Sequence, residues 1–235
     1  MVETSTFWKN KKVLVTGHTG FKGSWMCLAL QNLGAEVQGF SLEPPTPINL
    51  YSEASVGQDM LDLRCDVRDR FAVQDVFKQC KPEFVFHLAA QPLVRYSYIN
   101  PVETYETNFM GTLNVLEAIR HTNSVNSAII ITTDKCYENK ERDEGYKEDE
   151  AMGGHDPYSS SKGAAELLIA SYRNSYFDQL IHNDRKIGLA SARAGNVIGG
   201  GDWAEDRLVP DIIDSILNKK KVLVRNPNAI RPWQH

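Results

Sequence analysis

Cysteine is scarce in this sequence: Cys27, Cys65, Cys80 and Cys136 are the four in 235 residues, and no two form a CxxC pair. That argues against a disulfide framework and reads as reduced thiols of a cytoplasmic protein. No apolar run reaches the roughly 20 residues a bilayer requires. The opening "MVETSTFWKN" lacks the charged-then-apolar layout of a secretory leader. A strong excess of either charge is also missing. The formal net charge is -4, which gives no reason to expect nucleic acid or an anionic membrane as partner. No metal site is expected, and no internal repeat or low-complexity tract interrupts the chain.

What is present is alternation. "KVLVT" (12–16) is a short apolar run of the kind buried in a parallel sheet. After it, Phe21, Trp25, Leu28 and Ala29 recur at helical spacing until Gly34. Further strands are expected at 35–40, 61–67, 82–90, 127–133 and 186–193. Helices are expected from Arg68 to Cys80, from Pro101 onward with Tyr105, Phe109, Thr112, Leu116 and Ile119 as one stripe, and from about Ser159 to Phe177. The Pro-rich stretch 43–60 reads as a long surface excursion, and 138–157 as an acidic loop. Alternating strands and helices predict an α/β fold: a doubly wound parallel sheet with helices on both faces. Ligands of such sheets sit beyond the carboxyl ends of the strands, where strand order reverses.

The first strand end is "TGHTGFKG". Gly17 allows a tight turn, Gly20 lets a pyrophosphate approach the backbone, and Gly23 lets helix and strand pack closely. Free amides and the helix dipole favour an anion there. Dinucleotide binding is therefore expected. At the second strand end stand Ser41, Leu42 and a later Glu43, which leaves NAD or NADP open on that feature. No arginine sits at that strand end, which leans toward NAD. His18 and Lys22 either lie near the cofactor or are exposed turn residues.

"YSSSK" places Tyr158 and Lys162 four residues apart, on one helix face. A lysine ammonium beside a phenol lowers its pKa and poises it as a base. At the fifth strand end, "TTDK" carries Thr133, Asp134 and Lys135, which can meet Tyr158 and Lys162 in one crevice. Taken singly, Asp134 reads equally as a cap and Lys135 as a solvated charge.

"TGHTGFKG", "DVRD", "HLAAQ", "NFMGTLNVLEA", "TTDK", "YSSSK" and "RAGNVIGGGD" occur in the order of the extended short-chain dehydrogenase/reductases, and the chain resembles their nucleotide-sugar 4,6-dehydratases. "GHTGFKGSWM", "SLEPPT", "TTDKCYEN", "DPYSSSK" and "GGGDWAEDRLVPD" are similar to the CDP-glucose branch. The resemblance implies an NAD-binding Rossmann domain at 1–190. It also implies the start of a smaller sugar-nucleotide domain at 191–235, cut short of the family's length. It implies a lyase of deoxysugar biosynthesis, such as that of O-antigen, working as a homodimer or homotetramer on CDP-glucose, with NAD as cofactor. An epimerase or reductase of the same superfamily, or a non-catalytic NAD-binding fragment, is the alternative.

Catalytic roles are implied for Thr133, Asp134, Lys135, Tyr158 and Lys162. Related dehydratases carry Thr-Asp-Glu where this chain has Thr133-Asp134-Lys135. A lysine base must be neutral, which requires burial or a positive neighbour such as Lys162. Cofactor contacts are implied for Gly17, His18, Gly20, Phe21, Lys22, Gly23, Asp66, Val67, Leu88, Ala89, Ala90 and Asn108, besides Tyr158 and Lys162. His18 and Lys22 are expected to loosen the grip on NAD. Substrate contacts are implied for Asn196, Arg207 and Arg231. Trp203 and Trp233 are expected to pack in the core.

Overall fold

The computed structural model describes residues 4–140, 142–178 and 186–235. A short helix α1 (Thr4–Phe7) leads into β1 (Lys12–Thr16). The glycine turn follows, then α2 (Phe21–Asn32) and β2 (Glu36–Ser41). Next come α3 (Leu50–Glu53), β3 (Leu61–Arg64), α4 (Arg70–Cys80) and β4 (Phe84–His87). Beyond β4 lie α5 (Val94–Ile99), α6 (Pro101–Tyr105), α7 (Gly111–Arg120), β5 (Ser127–Thr133), α8 (Pro157–Tyr172) and β6 (Gly188–Ala194). The six strands form one sheet in the order β3-β2-β1-β4-β5-β6, with every pairing parallel. That is the doubly wound arrangement expected from the alternation. Its order reverses between β1 and β4, so a crevice opens there at the carboxyl ends.

Side chains of β1 alternate between two cores. Leu14 packs with Phe40, Val85 and the inner faces of α4, α7 and α8. Val13 and Val15 pack on the opposite side with Cys27 and Leu30 of α2. The central strand is therefore apolar from Val13 to Val15, as burial on both faces demands.

Three local readings change. The 43–60 excursion is not featureless: Asn49 caps α3 by accepting from Ser52 N, and Val56–Asp59 forms a 3-10 turn. The helix from Pro101 is interrupted by a π turn at Glu106–Met110. This inserted turn rotates the stripe, so Tyr105 is exposed while Thr104 and Asn108 are buried. Helix α8 begins two residues before Ser159, because Asp156 caps it by accepting from Ser159 N at 2.9 Å and Pro157 takes the first turn.

After β6 the chain makes a two-stranded parallel pair, β7 (Asn196–Val197) with β8 (Trp233–Gln234). Between them lies α9 (Leu208–Leu217). Trp203 and Trp233 are not core residues: each exposes more than two fifths of its surface, at 41% and 43%. Among the described residues no helix is long and apolar enough to cross a membrane.

Candidate active site

The glycine turn is built by contacts that admit no side chain. Gly17 sits at φ 72°, and a Cβ there would lie 2.7 Å from Ala89 N. A Cβ on Gly23 would lie 2.1 Å from Gly17 O, so α2 can start directly against the turn only with hydrogen at that position. Gly20 differs. Its backbone is extended, and a Cβ would meet only Gly17 O, at 3.3 Å. Gly20 is therefore bare toward the cleft, not toward the fold. The first-turn amides of α2 point to the same place, lacking intrahelical acceptors.

Two adjoining clefts open at the sheet's carboxyl edge. One, of about 450 Å³, is walled by Gly17, Gly20, Phe21, Lys22 and Gly23, by Asp66 and Val67 after β3, by Leu88, Ala89 and Ala90 after β4, and by Lys162. The other, of about 480 Å³, is walled by Thr133, Lys135, Asn196 and Arg231. Lys22, Leu93, Thr132, Tyr158, Asp202 and Arg207 face both. The first cleft fits a dinucleotide: it is elongated by residue placement from the β3 end to α8, and it has an anion-binding helix start with a side-chain-free approach. Trp203 lines it as well, and Trp233 lines the second.

The wall at Leu88–Ala90 is fixed from behind. Thr16 Oγ1 accepts from Leu88 N at 3.2 Å and Ala89 N at 3.0 Å, and contacts His87 Nδ1 at 2.6 Å. A hydroxyl that accepts two amides gives its own proton to Nδ1. His87 then donates from Nε2 to Thr112, 3.2 Å away, which donates to Asn108 O at 2.7 Å. His87 stays neutral: burial, then Lys162, pushes it down to about 3. Asn108 holds the next residues, accepting from Gln91 N at 2.9 Å and donating to Gln91 O and Ser161 Oγ. It is fully buried and stands behind the cleft wall, so the expected cofactor contact at Asn108 is a positioning one. The π turn, invisible to periodicity, aims it there.

His18 also departs from expectation. Its ring is fully buried beneath the turn, bonded to Asp62 Oδ1 at 2.7 Å and edge-on to Tyr51. It is not part of either cleft wall. Gly39 makes room for it, since a Cβ there would lie 2.5 Å from the ring. Burial holds its pKa below the ordinary value, against the opposing pull of Asp62. Lys22, by contrast, stands where the clefts meet. Burial, then Arg207 and Lys135, hold its ammonium below the ordinary range.

Tyr158 and Lys162 share the buried face of α8. Lys162 Nζ donates to Ile131 O at 3.2 Å, and burial followed by Lys22 brings it down to about 8. The phenol is not lowered as the spacing alone predicts. Burial holds Tyr158 above its ordinary value, and Asp134 adds to the rise, while a hydrogen bond with Thr133 opposes it. Desolvation of the anion outweighs its neighbours here.

At the end of β5, Thr133 Oγ1 donates to Asp134 Oδ1 at 3.1 Å. Lys135 Nζ lies 3.4 Å from both Asp134 Oδ1 and Asn196 Oδ1. Asp134 is outside both cleft walls, a quarter exposed and held by its neighbours. The charges of Lys135 and Lys162 both act together with that of Lys22: Lys135 helps to lower Lys22, and Lys22 helps to lower Lys162. Arg207 is paired with Asp202 at 2.9 Å. Asp202 was not singled out from sequence, although it sits in "GGGDW". Arg231 donates to the neighbouring Ile230 O. Behind the β5 end, Glu166 accepts from Thr132, from Ser191 at 2.9 Å and from Arg193 at 3.0 Å. Arg193 in turn donates to the Tyr137 hydroxyl and to Glu148 O of the 138–157 loop.

The sheet order, the glycine turn and the Tyr-Lys helix define an extended short-chain dehydrogenase/reductase. Within that class the chain belongs to the family described as GDP-mannose 4,6 dehydratase, whose model matches residues 14–235. It is 52% identical over 229 residues to the CDP-glucose 4,6-dehydratase of Salmonella typhimurium, covering 97% of this chain and 64% of that protein. It is 32% identical over 179 residues to the CDP-paratose 2-epimerase of Salmonella typhi, covering 68% of this chain and 52% of that one. Among solved structures it is similar to MoeE5 in complex with UDP-glucose and NAD: TM-score 0.77, 25% identity, 95% of this chain and 67% of that one. The chain thus spans less than two thirds of the length of either curated relative.

Proposed function

We propose that the full-length protein dehydrates CDP-D-glucose to CDP-4-keto-6-deoxy-D-glucose, using NAD and leaving it unchanged overall. The observation that carries this reading is Tyr158 standing where the two clefts meet, with Lys135 in the second cleft and Lys162 in the first. The 52% identity to a CDP-glucose 4,6-dehydratase supports the choice of base and sugar. When bound in the first cleft, NAD supplies the acceptor for the C4 hydride and its donor at C6.

The chain's own residues move protons and hold groups. Tyr158 Oη takes the proton of the 4-hydroxyl, and Thr133 hydrogen-bonds the phenol and orients the sugar. Lys162 provides positive charge at the first cleft, where it counters the phenolate. The 4-ketone acidifies C5–H, and Lys135 Nζ removes that proton. Lys135 lines the second cleft, its Nζ 3.4 Å from Asn196 Oδ1. Asp134 stands behind the second cleft, hydrogen-bonded to Thr133, which lines it, and supplies through the Thr133 hydroxyl the proton that lets the 6-hydroxyl leave as water. Asn196, Arg207 and Arg231 hold the substrate diphosphate, and 191–235 opens the sugar-nucleotide domain. We place the protein in the cytoplasm and in deoxysugar synthesis of the O-antigen kind. Exposed Tyr98, Ile99 and Val102 on α5 and α6 support self-association as a homodimer or homotetramer.

The test is full-length protein with NAD and CDP-glucose, UDP-glucose, dTDP-glucose or GDP-mannose, followed by the alkaline absorbance of a 4-keto-6-deoxy sugar. Turnover of CDP-glucose alone supports the reading. Formation of a 4-epimer without loss of water, or preference for another nucleotide, overturns it.

A further inference from the structure

At the end of β2 a Rossmann-type cleft meets the 2′-position of the adenosine ribose. There an acid favours NAD and a nearby arginine accommodates the 2′-phosphate of NADP. This chain has both, and they are bound to each other. Glu43 follows β2 by two residues and lines the cleft. Arg64 ends β3 and pairs in register with Ser41, so the arginine missing from the β2 end in sequence is brought there by the sheet. Its Nε donates to Glu43 Oε1 at 3.0 Å and its Nη1 to Asp62 Oδ1. Its guanidinium lies over the Tyr51 ring, 5.5 Å from the centroid. Asp62 is fixed in turn by His18 and by the Tyr51 hydroxyl.

The two carboxylates differ. Asp62 belongs to this inner cluster, with 26% of its side chain exposed, whereas Glu43 is 77% exposed on the cleft side. A 2′-phosphate would meet the Glu43 charge directly and find Arg64 Nε already bonded to Glu43 and Nη1 to Asp62. A neutral 2′-hydroxyl would instead donate to Glu43. We propose that Glu43 selects NAD over NADP by holding Arg64 and presenting its own charge, and that Arg64 is a latent 2′-phosphate site. This rests on the NAD reading of the first cleft.

The experiment is titration of wild type, Glu43→Gln and Glu43→Gln/Arg64→Leu with NAD and with NADP, following binding by calorimetry and folding by circular dichroism. Glu43→Gln removes the carboxylate charge and its ion pair with Arg64 Nε while Nη1 stays on Asp62; the 2′-phosphate then gains a charge-assisted contact at Nε, so this variant should bind NADP roughly tenfold or more tighter than wild type. The double variant should lose that gain. Wild type that binds NAD, with Glu43→Gln folded and no better for NADP, overturns the proposal. Retention of the gain without Arg64 overturns the role of Arg64. Wild type that binds neither dinucleotide overturns the NAD reading itself.

Discussion

Replacing Gly20 by valine separates binding from folding in a way the neighbouring glycines cannot. At φ −78° and ψ 166° the backbone of Gly20 suits any residue. The added Cβ meets only Gly17 O, at 3.3 Å, so the turn must yield by a few tenths of an ångström. The loss of a glycine N-cap adds a cost on the order of 1 kcal/mol. The two methyls then occupy the space above the first-turn amides of α2. If a pyrophosphate sits there, at least two charge-assisted hydrogen bonds are lost, at about 1.5–3 kcal/mol each. The sum, about 3–6 kcal/mol, corresponds to a roughly 10²- to 10⁴-fold weaker affinity for NAD. Calorimetric titration beside a thermal melt reads both quantities. Unchanged NAD affinity in a folded Gly20→Val protein would refute the pyrophosphate assignment. Gly23→Ala should instead fail in the melt, because its Cβ lands 2.1 Å from Gly17 O.

Tyr158→Phe should abolish all turnover, whereas Lys135→Met and Asp134→Asn should oxidise the sugar and stall. In single turnovers the latter two should accumulate NADH absorbance, and only Lys135→Met should slow exchange of the C5 proton; dehydration at the wild-type rate by Lys135→Met would exclude it as the base. Lys162 is brought from 10.5 to about 8 by burial, so the unfolded chain holds this proton more tightly than the folded one. The resulting destabilisation, about 3 kcal/mol, is complete below pH 8 and disappears as pH rises toward 10.5. Lys162→Met should therefore melt higher than wild type at pH 7 and equally near pH 10.5, and a gap independent of pH would count against it. Glu166→Ala should cost about 3–5 kcal/mol in urea unfolding, since it strands the charge of Arg193, 12% exposed; a loss below about 1 kcal/mol would mean that Tyr137 and Glu148 suffice.

The strand–helix alternation, and with it the parallel sheet, is legible along the chain without any tertiary contact. A central strand such as "KVLVT" must be apolar through its middle, Val13 to Val15, when both faces are covered, and the glycines must be bare where backbone meets backbone. Spacing alone also put Tyr158 and Lys162 on one helix face, because that is a local property of helical pitch. What faces what was not local. The π turn at Glu106–Met110 shifted the buried stripe and turned Asn108 inward. His18, which reads as a cofactor neighbour in the glycine turn, lies beneath the turn against Asp62, a residue 44 positions away. The phenol of Tyr158 is raised, not lowered, since its ionisation depends on how completely the closed fold removes water. Arg64 reaches the end of β2 only through the β2–β3 register. Periodicity reports the face a residue presents along its own element. Charge, desolvation and partnership are set by elements distant in the chain, and only tertiary packing brings those together.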